Sequence, residues 1–113
     1  MLHHRQQSRR FPRVPSEHPV RIRVVGERRP ETMTATRVIS AGGCMLVSDR
    51  SIGFGSLVEL HISLDGRLLR ADARVAWERR NNGDAHEVGV EFLSITERDR
   101  AVLERLVASK LAA

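Results

Sequence analysis

The stretch that decides the fold is a regular alternation of apolar and polar residues that runs into a tight turn. It reads Val58-Glu59-Leu60-His61-Ile62-Ser63-Leu64-Asp65-Gly66. A period of two residues places the apolar side chains on one face of a β-strand and the polar ones on the other. The pair Asp65-Gly66 favours a two-residue hairpin turn, because both residues tolerate a positive φ. The stretch therefore predicts a half-buried strand that is followed at once by an antiparallel partner.

The same alternation continues on both sides of this hairpin. After the turn, one face of the longest predicted strand carries Leu69, Ala71, Ala73, Val75 and Trp77. This pattern places Trp77 in the core and Glu78 on the solvent face. Further strands are predicted at 20–24, 32–39, 44–48 and 88–92, between turns rich in glycine and polar residues. Six short strands joined by tight turns predict an all-β fold, a six-stranded antiparallel β-barrel.

The C-terminal end changes to a helical period. Thr96 is followed three residues later by Asp99, a pattern typical of a capping box at the start of a helix. Apolar residues then recur at helical spacing, at Val102, Leu103, Leu106, Val107 and Leu111. We therefore predict an α-helix over residues 96–111 that packs across the mouth of the barrel, with a dimer-forming helix as the alternative.

Length and composition indicate one globular domain without a membrane span. The chain has 113 residues, of which 41% are hydrophobic and 29% charged, the balance of a soluble protein. It has no apolar run of about 18 residues and no apolar signal-peptide segment. We expect no membrane insertion and a cytoplasmic location. Cys44 is the only cysteine, so intramolecular disulfides are excluded, and its apolar strand predicts a buried, unreactive thiol.

A search for catalytic groups gives no constellation. His18, His61 and His86 fall on separate predicted elements, and no metalloprotease, serine-hydrolase or P-loop motif occurs. We therefore expect that the chain is not an enzyme and that it holds no metal and no cofactor.

Positive charge is concentrated at the N-terminal end. The net charge is +5, and residues 1–30 alone hold eight arginines against two glutamates. The densest cluster is Arg9-Arg10-Phe11-Pro12-Arg13. Guanidinium groups bind phosphate through paired hydrogen bonds and stack on aromatic rings. The sequence thus predicts a flexible arm with an arginine motif at residues 1–14, and the barrel plus the helix at residues 15–113.

A second feature of interest is the glycine pair at the break between the second and third predicted strands. Gly42 and Gly43 follow Ser40 in the run Ser40-Ala41-Gly42-Gly43. One interpretation is a turn that requires positive φ. The other is a bare backbone that a ligand can approach closely.

Taken together, these features resemble the PilZ domain, a small bacterial β-barrel family. The family has the motif R-x-x-x-R before the first strand and D/N-x-S-x-x-G between the second and third strands. Arg9 and Arg13 match the first motif, and Ser40 and Gly43 match the second. Val38 stands where the family has Asp or Asn. The similarity continues through residues 89–92 and the closing helix, so it covers nearly the whole chain.

The resemblance implies a ligand, cyclic di-GMP, which carries two phosphates and two guanines. Arg9, Arg10 and Arg13 would pair with phosphates and stack on guanines. Ser40 would offer its hydroxyl, and Gly43 would let a ring system lie against the backbone. The implied function is a receptor or adaptor domain that transmits the level of this second messenger to an effector protein, which the sequence does not identify.

Two other functions compete with this hypothesis. Val38 cannot accept a hydrogen bond, so the chain could be a ligand-independent adaptor of the same fold. A basic arm also suits nucleic acid, but the chain has 4% aromatic residues and no tyrosine, whereas single-strand binders stack bases on several rings. We therefore expect neither DNA nor RNA as a partner, and a monomer and a dimer are equally compatible with the sequence.

Overall fold

The computed structural model of the chain describes residues 11–28 and 30–113. Over these residues it contains seven strands and one helix. They are β1 (Val14–Pro15), β2 (Pro19–Val24), β3 (Thr32–Ser40), β4 (Gly43–Ser48), β5 (Leu57–Leu64), β6 (Arg67–Arg80), β7 (His86–Ile95) and α1 (Glu97–Ala112). The predicted site residues Arg9 and Arg10 lie outside the described residues.

The strands form a closed antiparallel barrel, which confirms the predicted fold class. The strand order is β3-β2-β5-β6-β7-β4, and β4 pairs back with β3 to close the ring. The short β1 is an additional strand on β3, with Val14 opposite Ile39 and Pro15 opposite Val38. This pairing fixes the entry of the N-terminal segment beside the end of β3.

The hairpin of β5 and β6 shows how the alternating pattern produces the barrel wall. Asp65 and Gly66 form the turn with φ values of 48° and 81°, and Leu64 pairs with Arg67 directly beside it. Val58, Leu60, Ile62 and Leu64 of β5 are buried, while Glu59 and His61 lie on the outer face. Burial of such a row contributes about 1.5–3 kcal/mol for each large aliphatic side chain.

The C-terminal helix begins and ends close to its predicted bounds. The Thr96 hydroxyl accepts a hydrogen bond from the Asp99 amide at 3.1 Å and caps the first turn. The Asp99 carboxylate pairs with Arg67 at 3.3 Å. Leu103 and Val107 are buried in the barrel core, and the helix packs against β1 and β3. No helix in the described part of the chain is long and apolar enough to cross a membrane.

A β-bulge in β6 overturns the prediction that Trp77 is a core residue. Val75 pairs with Val90 and Trp77 pairs with Gly89, so β6 advances two residues where β7 advances one. The extra residue, Ala76, inverts the alternation beyond it. Trp77 is therefore 39% exposed on the outer face. The prediction was wrong because a strict period of two assumes an uninterrupted ladder.

The same bulge turns Glu78 inward, against the predicted solvent face. Its carboxylate accepts hydrogen bonds from the amides of Ile52 at 3.0 Å and Gly53 at 2.9 Å. Burial alone would raise the pKa of Glu78, but the hydrogen bonds from Gly53, Ser51 and Ile52, together with nearby His86, outweigh it and lower that pKa. Glu78 thus ties the loop before β5 to the end of β6.

Candidate functional site

A groove of about 1140 Å³ lies on the outer face of the barrel. Its floor is a row of residues that strand pairing places side by side across β3, β4, β7 and β6. The row consists of Val38, Met45, Gly89 and Trp77. The N-terminal segment and the first turn of α1 border the groove through Phe11, Arg13 and Arg100. Three parts of the chain that are distant in sequence therefore meet around one concave surface.

Trp77 forms the aromatic part of this floor because its cross-strand neighbour is a glycine. A Cβ atom at Gly89 would lie 2.0 Å from the indole Nε1 and 2.3 Å from Cε2. The indole therefore lies across the bare backbone of β7. The guanidinium carbon of Arg79 lies 5.8 Å from the indole centroid, within the range of a cation–π contact.

Gly42 and Gly43 are required because a side chain would not fit at either position, and not because the backbone is left-handed there. Neither Gly42 nor Gly43 is among the residues with positive φ, so of the two interpretations left open by the sequence, the positive-φ turn does not hold. A Cβ at Gly43 would lie 2.2 Å from the carbonyl oxygen of Val90, and one at Gly42 would lie 2.4 Å from the Phe11 ring. Gly43 lets β4 approach β7 closely, and Gly42 makes room for the N-terminal segment.

The Ser40 hydroxyl holds the connection between β3 and β4. It accepts a hydrogen bond from the Gly42 amide at 3.1 Å and donates one to the Gly43 carbonyl at 3.3 Å. Ser40 is buried, with 8% of its surface exposed. The predicted ligand-binding serine therefore already has two partners inside the protein.

Two arginines border the groove from opposite ends of the sequence. Arg13 is exposed and forms no hydrogen bond or ion pair with any described residue. Arg100, in the first turn of α1, donates from Nη1 to the Ala41 carbonyl at 3.0 Å, and its guanidinium carbon lies 5.8 Å from the Phe11 ring centroid. Both positive charges thus lack an acidic partner among the described residues.

The other charges of the groove are paired. Arg79 donates from Nε to Glu87 at 2.7 Å, and Arg74 donates from Nε to Glu91 at 3.0 Å and also from Nη2 to the same oxygen. The described lining holds four arginines and two glutamates. The groove therefore has a surplus of two positive charges and suits an anionic ligand.

Cys44 also lines the groove, and its thiol is buried. Desolvation raises its pKa to about 12, so the reactive thiolate is not populated at neutral pH. The predicted burial of this thiol is confirmed, and its lack of reactivity stays a prediction. Over the described residues, no group of three or more histidine, cysteine, aspartate or glutamate side chains could hold a metal ion.

The structure brings together three of the five predicted site residues and adds others. Arg13, Ser40 and Gly43 all line the groove. Sequence reasoning missed several lining residues on β6, on β7 and on the helix, namely Arg74, Trp77, Arg79, Glu87, Glu91 and Arg100. One local signal was available, since a lone tryptophan and a glycine on adjacent strands commonly pair when the ring covers the bare backbone.

Comparison with known proteins identifies the family. Residues 7–109 match the family model described as PilZ domain. No curated protein matches the sequence.

Several solved structures share the fold. The inhibitor of motility from Bacillus subtilis, MotI/DgrA, aligns with a TM-score of 0.81 and 22% identity over 92% of this chain and 51% of that chain. The PilZ domain of YcgR from Escherichia coli, solved with cyclic di-GMP, aligns with a TM-score of 0.71 and 11% identity over 92% of each chain. The PilZ domain of CeSA from a cellulose-synthesizing bacterium gives 0.64 and 21% identity over 90% of this chain and 99% of that chain.

These alignments also show how much of each relative the chain represents. It spans about half of MotI/DgrA, with 51% coverage, and 45% of a longer YcgR structure. It spans nearly all of the isolated domains of YcgR and CeSA. The chain thus corresponds to one domain of the larger proteins.

Proposed function

Because this chain belongs to the PilZ domain family, we propose that it binds cyclic di-GMP in the groove and transmits the level of this messenger to a partner protein. The observation that carries the proposal is the convergence of Arg13, Ser40 and Gly43 on one groove with surplus positive charge. The PilZ domain of YcgR, which shares this fold, was solved with cyclic di-GMP.

The chemistry of the groove suits the two kinds of group in the ligand. Arg13 has no described partner, so its guanidinium is available to pair with a phosphate through two parallel hydrogen bonds. Arg100 offers a second positive charge beside the Ser40–Gly43 connection. Trp77 presents a flat surface on which a guanine can stack, an interaction that contributes about 1–3 kcal/mol per base. In this proposal Arg9 and Arg10 add further phosphate contacts from the adjacent segment.

The position of the N-terminal segment favours binding by lowering its entropic cost. Phe11 already lies against Gly42, and β1 holds the chain to β3 directly after Arg13. Pro12 and Pro15 restrict the backbone on both sides of Arg13. Because Phe11 and Arg13 already line the groove, closure of these residues over a ligand requires little additional ordering of their backbone. Closure of these residues over the ligand changes the surface around Phe11 and Arg100. We propose that a partner protein binds to this changed surface.

A second candidate is a ligand-independent adaptor, and Val38 is the observation that favours it. Val38 lines the groove but offers no hydrogen-bond acceptor to a base. An unpaired guanine donor in a partly buried site costs about 1–3 kcal/mol. The adaptor hypothesis expects a partner that binds equally well with and without the nucleotide.

Isothermal titration of the chain with cyclic di-GMP separates these candidates. We expect saturable heat in the calorimeter. In a parallel NMR titration, we expect chemical-shift changes at groove residues such as Gly43 and Gly89. Cyclic di-AMP is the control for base selectivity, and generic duplex DNA is the control for a nonspecific polyanion, whose binding weakens steeply with salt. No heat and no chemical-shift change at excess cyclic di-GMP would refute ligand binding and leave the adaptor. The location in the cytoplasm remains a prediction.

A further inference from the structure

The groove contains few side chains that can accept a hydrogen bond from a base. Over the described lining residues, the side-chain oxygens belong to Ser40, Glu87 and Glu91. The Ser40 hydroxyl already bonds to Gly42 and Gly43. A guanine presents two adjacent donors, N1–H and the 2-amino group, and a carboxylate is the acceptor that matches such a pair best. The two glutamates of β7 are therefore the groups to examine.

Glu87 and Glu91 lie on the same strand, one on each side of Gly89, but their surroundings differ. Glu91 is directly opposite Gly43 in the strand register, where no side chain stands between it and the Ser40–Gly43 connection. The Glu91 side chain is 46% exposed, and the Glu87 side chain is 23% exposed. Glu91 is thus the more accessible carboxylate at the glycine end of the groove.

The pairing of Glu91 leaves half of its carboxylate available. Both Arg74 nitrogens donate to Oε1, and Oε2 has no partner among the described residues. Arg74 fixes the side chain and balances its charge, so the carboxylate does not repel the phosphates of an anionic ligand. The arrangement keeps one oxygen with a fixed orientation at the edge of the groove.

We propose that Glu91 is the residue that selects guanine, with its free Oε2 accepting hydrogen bonds from both N1–H and the 2-amino group of the base that stacks on Trp77. This inference rests on the proposed function. It assigns to β7 the acceptor that Val38 cannot provide from β3. A carboxylate at this place rejects adenine, because the N1 atom of adenine is an acceptor and faces the carboxylate without a proton.

The test compares two ligands that differ only in one of the two groups that Glu91 recognises, the 2-amino group. Cyclic di-GMP and its inosine analogue, cyclic di-IMP, have the same phosphates, but inosine lacks the 2-amino group. We would measure the dissociation constants of both for the wild type, Glu91→Ala and Glu87→Ala by calorimetry. The ratio of the two constants cancels any gain from the freed Arg74 or Arg79, because phosphate contacts affect both ligands equally.

We expect the wild type to prefer cyclic di-GMP about tenfold, the effect of one charge-assisted hydrogen bond. Glu91→Ala should bring the ratio close to one, and Glu87→Ala should leave it unchanged. Both residues form exposed ion pairs, so neither substitution should change the circular dichroism spectrum or the melting temperature noticeably.

Other outcomes separate this inference from the function on which it rests. If the wild type binds cyclic di-GMP but Glu91→Ala keeps the wild-type ratio, the inference is wrong and the proposed function stands. The inference is also wrong if only Glu87→Ala loses the preference for cyclic di-GMP over cyclic di-IMP, or if the wild type binds the two nucleotides equally well. In both cases the proposed function stands. If the wild type binds neither nucleotide, both the inference and the proposed function fall.

Discussion

Two regions of the barrel's outer surface are rich in arginine, and they differ in how the charges are paired and in how the sheet beneath them is covered. On the face formed by β2, β5 and β6, Glu59 pairs with Arg70 at 2.6 Å and with Arg23 at 3.4 Å. Arg70 also approaches Asp72 at 3.6 Å. The hydrogen bonds from Arg70 and Arg23 lower the pKa of Glu59. Arg23 and Arg70 therefore have an acidic partner here, whereas Arg21, which lies opposite His61 on the same face, has none among the described residues.

The groove contains the same residue types in a different balance. Arg74 and Arg79 have acidic partners, but Arg13 and Arg100 have none among the described residues. Gly43 and Gly89 also replace the side chains that would otherwise cover the sheet. The comparison teaches that arginine content alone does not identify a binding site. What distinguishes the groove is uncompensated charge above an uncovered backbone.

The largest effect that this comparison predicts is on the affinity for cyclic di-GMP when an unpaired arginine is removed. Arg13→Ala should weaken binding about a hundredfold, because charge-assisted hydrogen bonds contribute about 1.5–3 kcal/mol each. Arg70→Ala is the matched control, because Arg70 lies outside the groove and is paired with Glu59, and it should leave the dissociation constant unchanged. Calorimetric titration measures both. Equal losses in the two variants would mean that overall charge, and not the groove, governs affinity.

A substitution at Val38 should increase the affinity of the groove for cyclic di-GMP. Val38→Asp adds an acceptor to the floor of the groove, so we expect about tenfold tighter binding of cyclic di-GMP. Val25→Asp adds the same charge at an exposed position outside the groove and should not tighten binding. Calorimetric titration of both variants with cyclic di-GMP measures the effect. Weaker binding by Val38→Asp would indicate that residue 38 does not contact the guanine base.

A smaller effect on affinity is expected when the Trp77 indole is displaced from the floor of the groove. Gly89→Ala places a methyl group where the indole of Trp77 lies, at 2.0 Å from Nε1, so the ring must leave the sheet. We expect about fivefold weaker binding from the loss of a stacking surface. Trp77→Ala should give a similar loss, and Gly89→Ala should add nothing in that background. Additive losses would indicate that Gly89 contributes independently of the indole.

The smallest predicted effect is on stability and depends on pH. The pKa of Glu78 is lowered in the folded protein from the ordinary value of 4.5, so its contribution is present above that value and is lost as the pH falls through the lowered pKa. Glu78→Gln should reduce the free energy of unfolding by about 1 kcal/mol at neutral pH, and the difference should shrink in acid.

Urea denaturation at neutral and acidic pH measures this change. Asp84→Asn is the control, because Asp84 is fully exposed in its pair with Arg80 and should have little effect at either pH. A Glu78→Gln variant that is as stable as the wild type at neutral pH would show that the charge of Glu78, in its hydrogen bonds to the loop before β5, does not stabilise the barrel.

The sequence was sufficient for the regular parts of the fold because these depend on local patterns. The alternation in β5, the Asp65-Gly66 turn and the Thr96 cap were all recognisable from neighbouring residues. Trp77 was misplaced because a bulge is decided by the pairing of two strands, and nothing in β6 alone marks Ala76 as the extra residue. The missed groove residues have the same origin, since Glu91 and Arg100 reach the site only through the pairing of β7 and the docking of α1.

The outward position of Trp77 has a practical consequence. It is the only tryptophan in a chain that has no tyrosine, so it accounts for essentially all of the intrinsic fluorescence of the protein. Its indole is exposed beside the groove and close to a guanidinium, and its emission should respond to any group that covers it. The protein therefore carries a native optical reporter at the candidate site, and occupancy can be followed without a label.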